Sequence, residues 1–171
     1  MRKHHIVALW LFVIFLGISV GAGLYEARIM VPIWRETSPE TWLNTGIAFW
    51  AFVTTGPLTL LVLGGIFLAW RSHGPARRWW LYALGVSVVE RIATFGYFIP
   101  TMIWLQAQPG SSTASVIETL DTWALLNHGR HILSASAWLL SLKALSLIGA
   151  GREPRSARVT CARSSRPMTK V

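Results

Sequence analysis

Hydrophobic positions fall into four long runs separated by short polar segments, and the runs are too continuous to be single faces of water-soluble helices. A helix needs about 20 mostly apolar residues to cross a bilayer. Runs of that length extend from His5 to Met30, Leu43 to Trp70, Trp79 to Trp104 and Thr122 to Leu147. Pro57 is expected to kink the second run, and Pro100 the third near its end. The separating segments are Arg35 to Trp42, Arg71 to Arg78 and Gln106 to Asp121. In the last of these, the stretch from Gln108 through Pro109 and Gly110 to Thr113 has the chemistry of an exposed turn. The pattern predicts an all-α polytopic membrane protein. A four-transmembrane-helix bundle occupies residues 1–150, and a basic tail expected to be disordered occupies residues 151–171.

Composition supports the membrane reading. Only 13% of the 171 residues are charged, against roughly 25% in soluble domains. The net charge of +9 would suit a nucleic-acid partner if the cations shared a surface. They lie instead at the ends of the runs and in the tail, which argues for the lipid bilayer as partner and against nucleic acid. Cys161 is the sole cysteine, which excludes an internal disulfide framework and a cysteine-based zinc site.

Charge also predicts orientation. With four spans, Arg2 and Lys3, then Arg71, Arg77 and Arg78, then the residues from Arg152 onward all fall on one side. Basic residues concentrate on the cytoplasmic side, so both termini are expected there. The opposite side carries Glu36, Glu40, Glu118 and Asp121 against Arg28 and Arg35. The chain is expected to be a multi-pass protein of the cell membrane, the inner one in a bacterium. The tail would then lie against anionic lipid. Trp34, Trp42, Trp104 and Trp123 are expected to mark one interface, and Trp70, Trp79 and Trp80 the other. A competing reading takes Met1 to Gly23 as a cleaved secretory signal, leaving three spans. The charge pattern favours four.

Polar residues inside the runs carry the candidate chemistry. Glu90 and Arg91 stand side by side in the middle of the third run. Ionisable groups at that depth cost several kcal/mol and usually serve a function. Helical spacing puts Ser87, Glu90, Thr94 and Tyr97 on one stripe, with Arg91 beside it. Asn127, Arg130, His131 and Ser134 form a stripe on the fourth run, and Ser19, Gly23 and Glu26 one on the first. Thr54 and Thr55 flank the Gly56-Pro57 break, and Gly17, Gly21 and Gly23 allow close helix approach. At about 1.5 Å rise per residue, these stripes can border one cavity in the outer half of the bundle, open toward the outer side.

His131, Glu90, Arg91 and Arg130 are the candidate catalytic residues, and Glu26, Asn127, Tyr97 and Thr94 the candidate substrate-binding residues. A histidine or carboxylate would move a proton, and the arginines would stabilise the resulting oxyanion. Trp50, Trp138 and Tyr97 could stack on a flat ring. No cofactor is predicted. One histidine with two carboxylates resembles a metal ligand set, but two arginines in the same space disfavour a cation. A structural alternative pairs Glu90 with Arg130 and Glu26 with Arg91 as clamps between helices. A proton-coupled carrier ranks last, because paired broken helices in two related halves are missing. The pattern leaves the oligomeric state open.

Gly23-Leu-Tyr-Glu-Ala-Arg28, followed by Val31-Pro-Ile-Trp34, resembles the end of the first helix in the anthrone oxygenase-like family of small four-helix membrane proteins. Asn127 with Arg130 is similar to that family's last-helix motif. The resemblance implies the four-span fold and places Glu26, Asn127 and Arg130 at motif positions. Most members are bacterial proteins of unknown function; a few fungal members assist oxidation of an anthrone to an anthraquinone without a familiar cofactor motif. For this chain it implies an oxidoreductase or oxygenase acting on a lipophilic phenolic-type molecule. The alternative is a non-catalytic membrane protein that stabilises a partner or binds lipid.

Overall fold

The first, third and fourth apolar runs are helical beyond the bounds that hydropathy marks. A computed structural model describes residues 3–42, 49–108 and 114–150. Helix α1 spans Lys3–Glu36, α2 spans Trp50–Trp70 and α3 spans Pro75–Gln106. Helix α4 spans Ala114–Ala150. Among the described residues there is no strand. All four helices are long and apolar enough to cross a bilayer, so the chain is an all-α, multi-pass integral membrane protein. Leu43, where the second run was expected to begin, lies outside the described residues, as does the tail from residue 151.

The helices alternate in direction. The start of α1, the α2–α3 turn and the end of α4 gather at one end, called here the terminal end. Gly74, at φ +103°, makes that turn, and Pro75 opens α3. The opposite, loop end holds the end of α1, the start of α2, the end of α3 and the start of α4. The loop end is more helical than expected: α4 begins well before Thr122. Val116, Leu120 and Trp123 recur at helical spacing and are buried, while Asp121 faces outward. Exposed Asp121 and Glu118 dilute the hydropathy there, which hides the helix from a search for continuous apolar runs.

Two apolar clusters hold the bundle. The terminal half packs Leu9, Phe12 and Leu16 of α1 against Val62, Trp80, Leu84 and Ala137. Gly65 brings α2 against α3, since a Cβ there would stand 2.8 Å from Leu84 Cδ2. The loop end packs Val31, Trp34 and Trp42 against Phe98, Leu105, Leu120 and Trp123. This corrects the expected aromatic belts. Trp34, Trp42 and Trp123 are 5%, 1% and 3% exposed, and Trp80 is fully buried. Trp42 Nε1 donates to Thr37 Oγ1 at 3.0 Å, and Trp123 Nε1 donates to the Phe98 carbonyl at 3.1 Å. Trp42 and Trp123 are thus core residues with satisfied polar tips, whereas Trp34 Nε1 and Trp80 Nε1 have no hydrogen-bond partner among the described residues. Trp70, Trp79 and Trp104 remain on the outside.

Three helices each contain one widened π turn: Glu26–Met30 in α1, Trp50–Thr55 in α2 and Thr94–Phe98 in α3. Each closes through the residue before a proline. The Val31 N–H donates to the Glu26 carbonyl, Gly56 to Ala51, and Ile99 to Thr94. Pro32, Pro57 and Pro100 follow directly. A proline has no N–H and its ring crowds the carbonyl four residues back. Widening the preceding turn by one residue relieves that crowding without breaking the helix.

Candidate functional site

The three π turns sit in the loop-end half and surround a cavity of about 690 Å³. Its walls are mainly apolar and aromatic: Trp50, Leu60, Phe95, Phe98, Met102 and Trp123. Its polar wall groups are Glu26, Thr94 and Arg130, which belong to one hydrogen-bonded and ion-paired cluster, with Thr55, Thr59 and Gln106 elsewhere on the wall. Among the described residues the rim is formed by Leu60, Phe95 and Ile103, which are 72%, 51% and 62% exposed. The cavity therefore opens sideways between α2 and α3, onto the apolar face that meets lipid. The sequence pattern pointed to an opening toward the outer side, where the connecting residues 43–48 and 109–113 lie outside the described residues.

Behind the polar wall lies a charged cluster spanning three helices. Asn127 Nδ2 donates to Glu26 Oε2 at 2.8 Å, and Arg130 Nε donates to Asn127 Oδ1 at 2.6 Å. Arg130 Nη2 reaches the same Glu26 oxygen at 3.2 Å. Its Nη1 lies 4.0 Å from Glu90 Oε1. Arg130 thus joins α1 to α4 and approaches α3. Its guanidinium carbon also sits 5.2 Å from the Phe98 ring centre and 5.9 Å from that of Trp50, within cation–π range.

Glu90 and Arg91 pair with each other. Arg91 Nη2 lies 2.5 Å and Nε 2.6 Å from Glu90 Oε2. Neighbouring helix positions do not face each other, so the long Arg91 side chain folds back to make this contact. Thr94 Oγ1 donates to Glu90 Oε1 at 3.1 Å. The clamp pairing expected from sequence is therefore revised: Glu26 meets Arg130, not Arg91, and the Glu90–Arg130 contact is the long one. Two carboxylates and two guanidiniums balance, so the cluster has no net fixed charge.

His131 Nε2 lies 3.7 Å from Glu26 Oε2, beyond hydrogen-bond reach, and has no hydrogen-bond partner among the described residues. Gly23 makes room for this ring, because a Cβ there would stand 2.7 Å from His131 Cδ2 and Nε2. His128 points outward, with Nδ1 2.7 Å from the Ala124 carbonyl. Among the described residues no group of three or more His, Cys, Asp or Glu is placed to hold a metal ion.

Of the expected site residues, Glu26, Thr94 and Arg130 reach the cavity wall. Asn127, Glu90, Arg91 and His131 form the layer that holds those three. Tyr97 packs against Phe98 with ring centres 5.2 Å apart and joins the aromatic cluster at the loop end. Phe98, four residues past Thr94, lines the cavity beside it, and both lie in the π turn Thr94–Phe98. Sequence reasoning missed Phe98, Phe95 and Met102 as wall residues. The available signal was Pro100, which marks the helix irregularity just before it.

No protein-family model, curated protein or solved structure matches the chain.

Proposed function

We propose that this membrane protein binds a flat lipophilic molecule bearing an acidic hydroxyl or activated C–H group, and promotes its oxidation by molecular oxygen. The observation that carries this reading is the cavity: aromatic walls, access from the lipid side and one polar corner made by Glu26, Thr94 and Arg130. A mostly apolar pocket with a few convergent polar groups is the usual form of a small-molecule site. The resemblance of the Glu26, Asn127 and Arg130 segments to the anthrone oxygenase-like family points the same way.

Charge balance favours a neutral acid as ligand. A substrate that enters neutral and passes its proton to Glu26 leaves the occupied site with no added net charge. Arg130, released from Glu26 by that protonation, faces the new anion. His131, 3.7 Å from Glu26, is positioned to take the proton onward. For an anthrone-type CH₂ group, the electron-rich anion then reduces oxygen. One oxygen atom becomes the new carbonyl and the other leaves as water, taking up both hydrogens. In this reading both termini face the cytoplasm, where the basic ends of the helices belong.

A second reading has its own support. The Arg130–Asn127–Glu26 chain joins α1 to α4 and would clamp a non-catalytic protein as well as it would organise a site. Purified protein in mild detergent separates the two. Wild type is expected to bind a hydroxylated tricyclic aromatic and to consume oxygen with it. Thr94→Val and Phe95→Leu, at a cavity-lining ring that is half exposed, should weaken binding while the fold persists. Absence of binding by well-folded wild type would remove the oxygenase reading and leave the clamp.

A further inference from the structure

A second cavity, of about 570 Å³, lies at the terminal end of the bundle, far from the charged cluster. Its polar walls are His4 and His5 from the start of α1, with Arg71, Ser72 and His73 from the α2–α3 turn. Phe67 and Leu68 of α2 form its apolar side. We propose that this cavity binds the phosphate group of an anionic membrane lipid.

Charge is the first argument. Among the described residues no acidic side chain lines the cavity, and the surrounding terminal end adds Lys3, Arg77 and Arg78. Arg71 has its guanidinium carbon 4.1 Å above the Phe67 ring centre. That stacking fixes the plane of the fork and leaves its N–H edge available, the arrangement suited to phosphate oxygens. Arg71 has no carboxylate partner among the described residues.

The histidines extend the donor set. The His4 and His5 rings meet edge to face at 4.5 Å between centres, which sets two imidazoles at right angles on one wall. His73 enters from the turn opposite. Imidazoles could suggest a metal, but no metal-ligand cluster forms among the described residues, and Arg71 repels a cation. Ser72 is 2% exposed, and its hydroxyl is committed to the Ala69 carbonyl at 2.8 Å. It anchors the turn.

Depth selects lipid over free phosphate. Trp70 and Trp79, both outward-facing, flank the cavity in sequence, and such tryptophans mark the headgroup level. Phe67 and Leu68 lie on the membrane side of Arg71 and offer an apolar path for an acyl chain. A phosphate held by Arg71 and the histidines would sit where a lipid phosphate already lies.

Native mass spectrometry of the full chain, released from nanodiscs of phosphatidylglycerol and phosphatidylcholine in equal amounts, tests the proposal. Wild type is expected to retain phosphatidylglycerol preferentially. Arg71→Gln is expected to lower that retention by more than the roughly five-fold weight of one basic residue lying diffusely at an anionic surface, and His4→Asn/His73→Asn should lower it further. Arg78→Gln, at the same end but outside the cavity, should leave most of it. Equal retention of both lipids by wild type, or equal losses in Arg71→Gln and Arg78→Gln, would overturn the cavity site in favour of diffuse charge. Displacement of the lipid by millimolar inorganic phosphate would overturn the lipid assignment and give the cavity to a soluble phosphate. Unchanged helical circular dichroism in each variant keeps these readings separate from misfolding.

Discussion

Replacing Asn127 with leucine tests the polar centre of the bundle at an uncharged member that bridges two charged ones. The side chain is 1% exposed, and leucine has the same branched outline without the polar atoms. The change removes a 2.8 Å bond to Glu26 and a 2.6 Å bond from Arg130. In soluble proteins, hydrogen bonds to charged groups contribute about 1.5–3 kcal/mol each, so two would suggest a loss of about 3–6 kcal/mol. Polar contacts between membrane helices average about 0.6 kcal/mol and reach about 1.7, which gives about 1–3 kcal/mol. The membrane figure governs, because separated helices stay in lipid and find other partners. Arg130 and Glu26 also keep their direct 3.2 Å contact. The expected loss for Asn127→Leu is therefore about 1–3 kcal/mol in reversible unfolding in mixed detergent micelles. A cycle with Arg130→Gln should be non-additive, with a coupling beyond the roughly 0.5 kcal/mol spread of independent sites. A stability loss below that spread, or simple additivity of the pair, would refute the idea that the three residues act as one unit.

Gly23→Ala should destabilise the protein despite alanine's better helix propensity. The new Cβ would stand 2.7 Å from the His131 ring, and overpacking of about 1–3 kcal/mol outweighs a propensity gain of about 1 kcal/mol; His131→Ala in the same chain should restore the melting temperature. Gly56→Ala should destabilise more than Gly64→Ala in the same assay. The Gly56 Cβ would stand 2.6 Å from the Ala51 carbonyl, whereas that of Gly64 meets nothing within 4 Å. Arg35→Gln removes the 2.7 Å ion pair to Asp121, whose side chains are each about half exposed. It should change unfolding stability by less than about 1 kcal/mol, and a larger loss would show that this pair fixes the loop end.

The four helices were legible because continuous apolar runs have few other solutions. Asn127 and Arg130 were legible as one face of α4, since helical spacing sets which residues share a face; that Glu26 of α1 meets that face was not, because packing between helices decides it. Nor was the pairing. Glu26 can reach either arginine by length alone, and only the packing of α1 on α4 brings it to Arg130. Hydropathy could not tell a belt tryptophan from a core one, because both follow an apolar run. Trp123 and Trp42 are buried because the loop end is itself a packed layer. Helical spacing from Thr94 allows both Tyr97 and Phe98 on its face, and only the packing shows that Phe98 lines the cavity while Tyr97 joins the loop-end cluster.

The three π turns bear on how relatives of this chain should be recognised. A π turn is equivalent to a single-residue insertion that leaves the helix on both sides intact. Chains sharing the fold but lacking Pro32, Pro57 or Pro100 are expected to be shorter by one residue within 26–30, 50–55 or 94–98. An alignment that forbids gaps inside helices would slip the polar stripes out of phase at each of these places. It would set Tyr97 opposite the counterpart of Phe98 and conceal a common cavity behind an apparent mismatch.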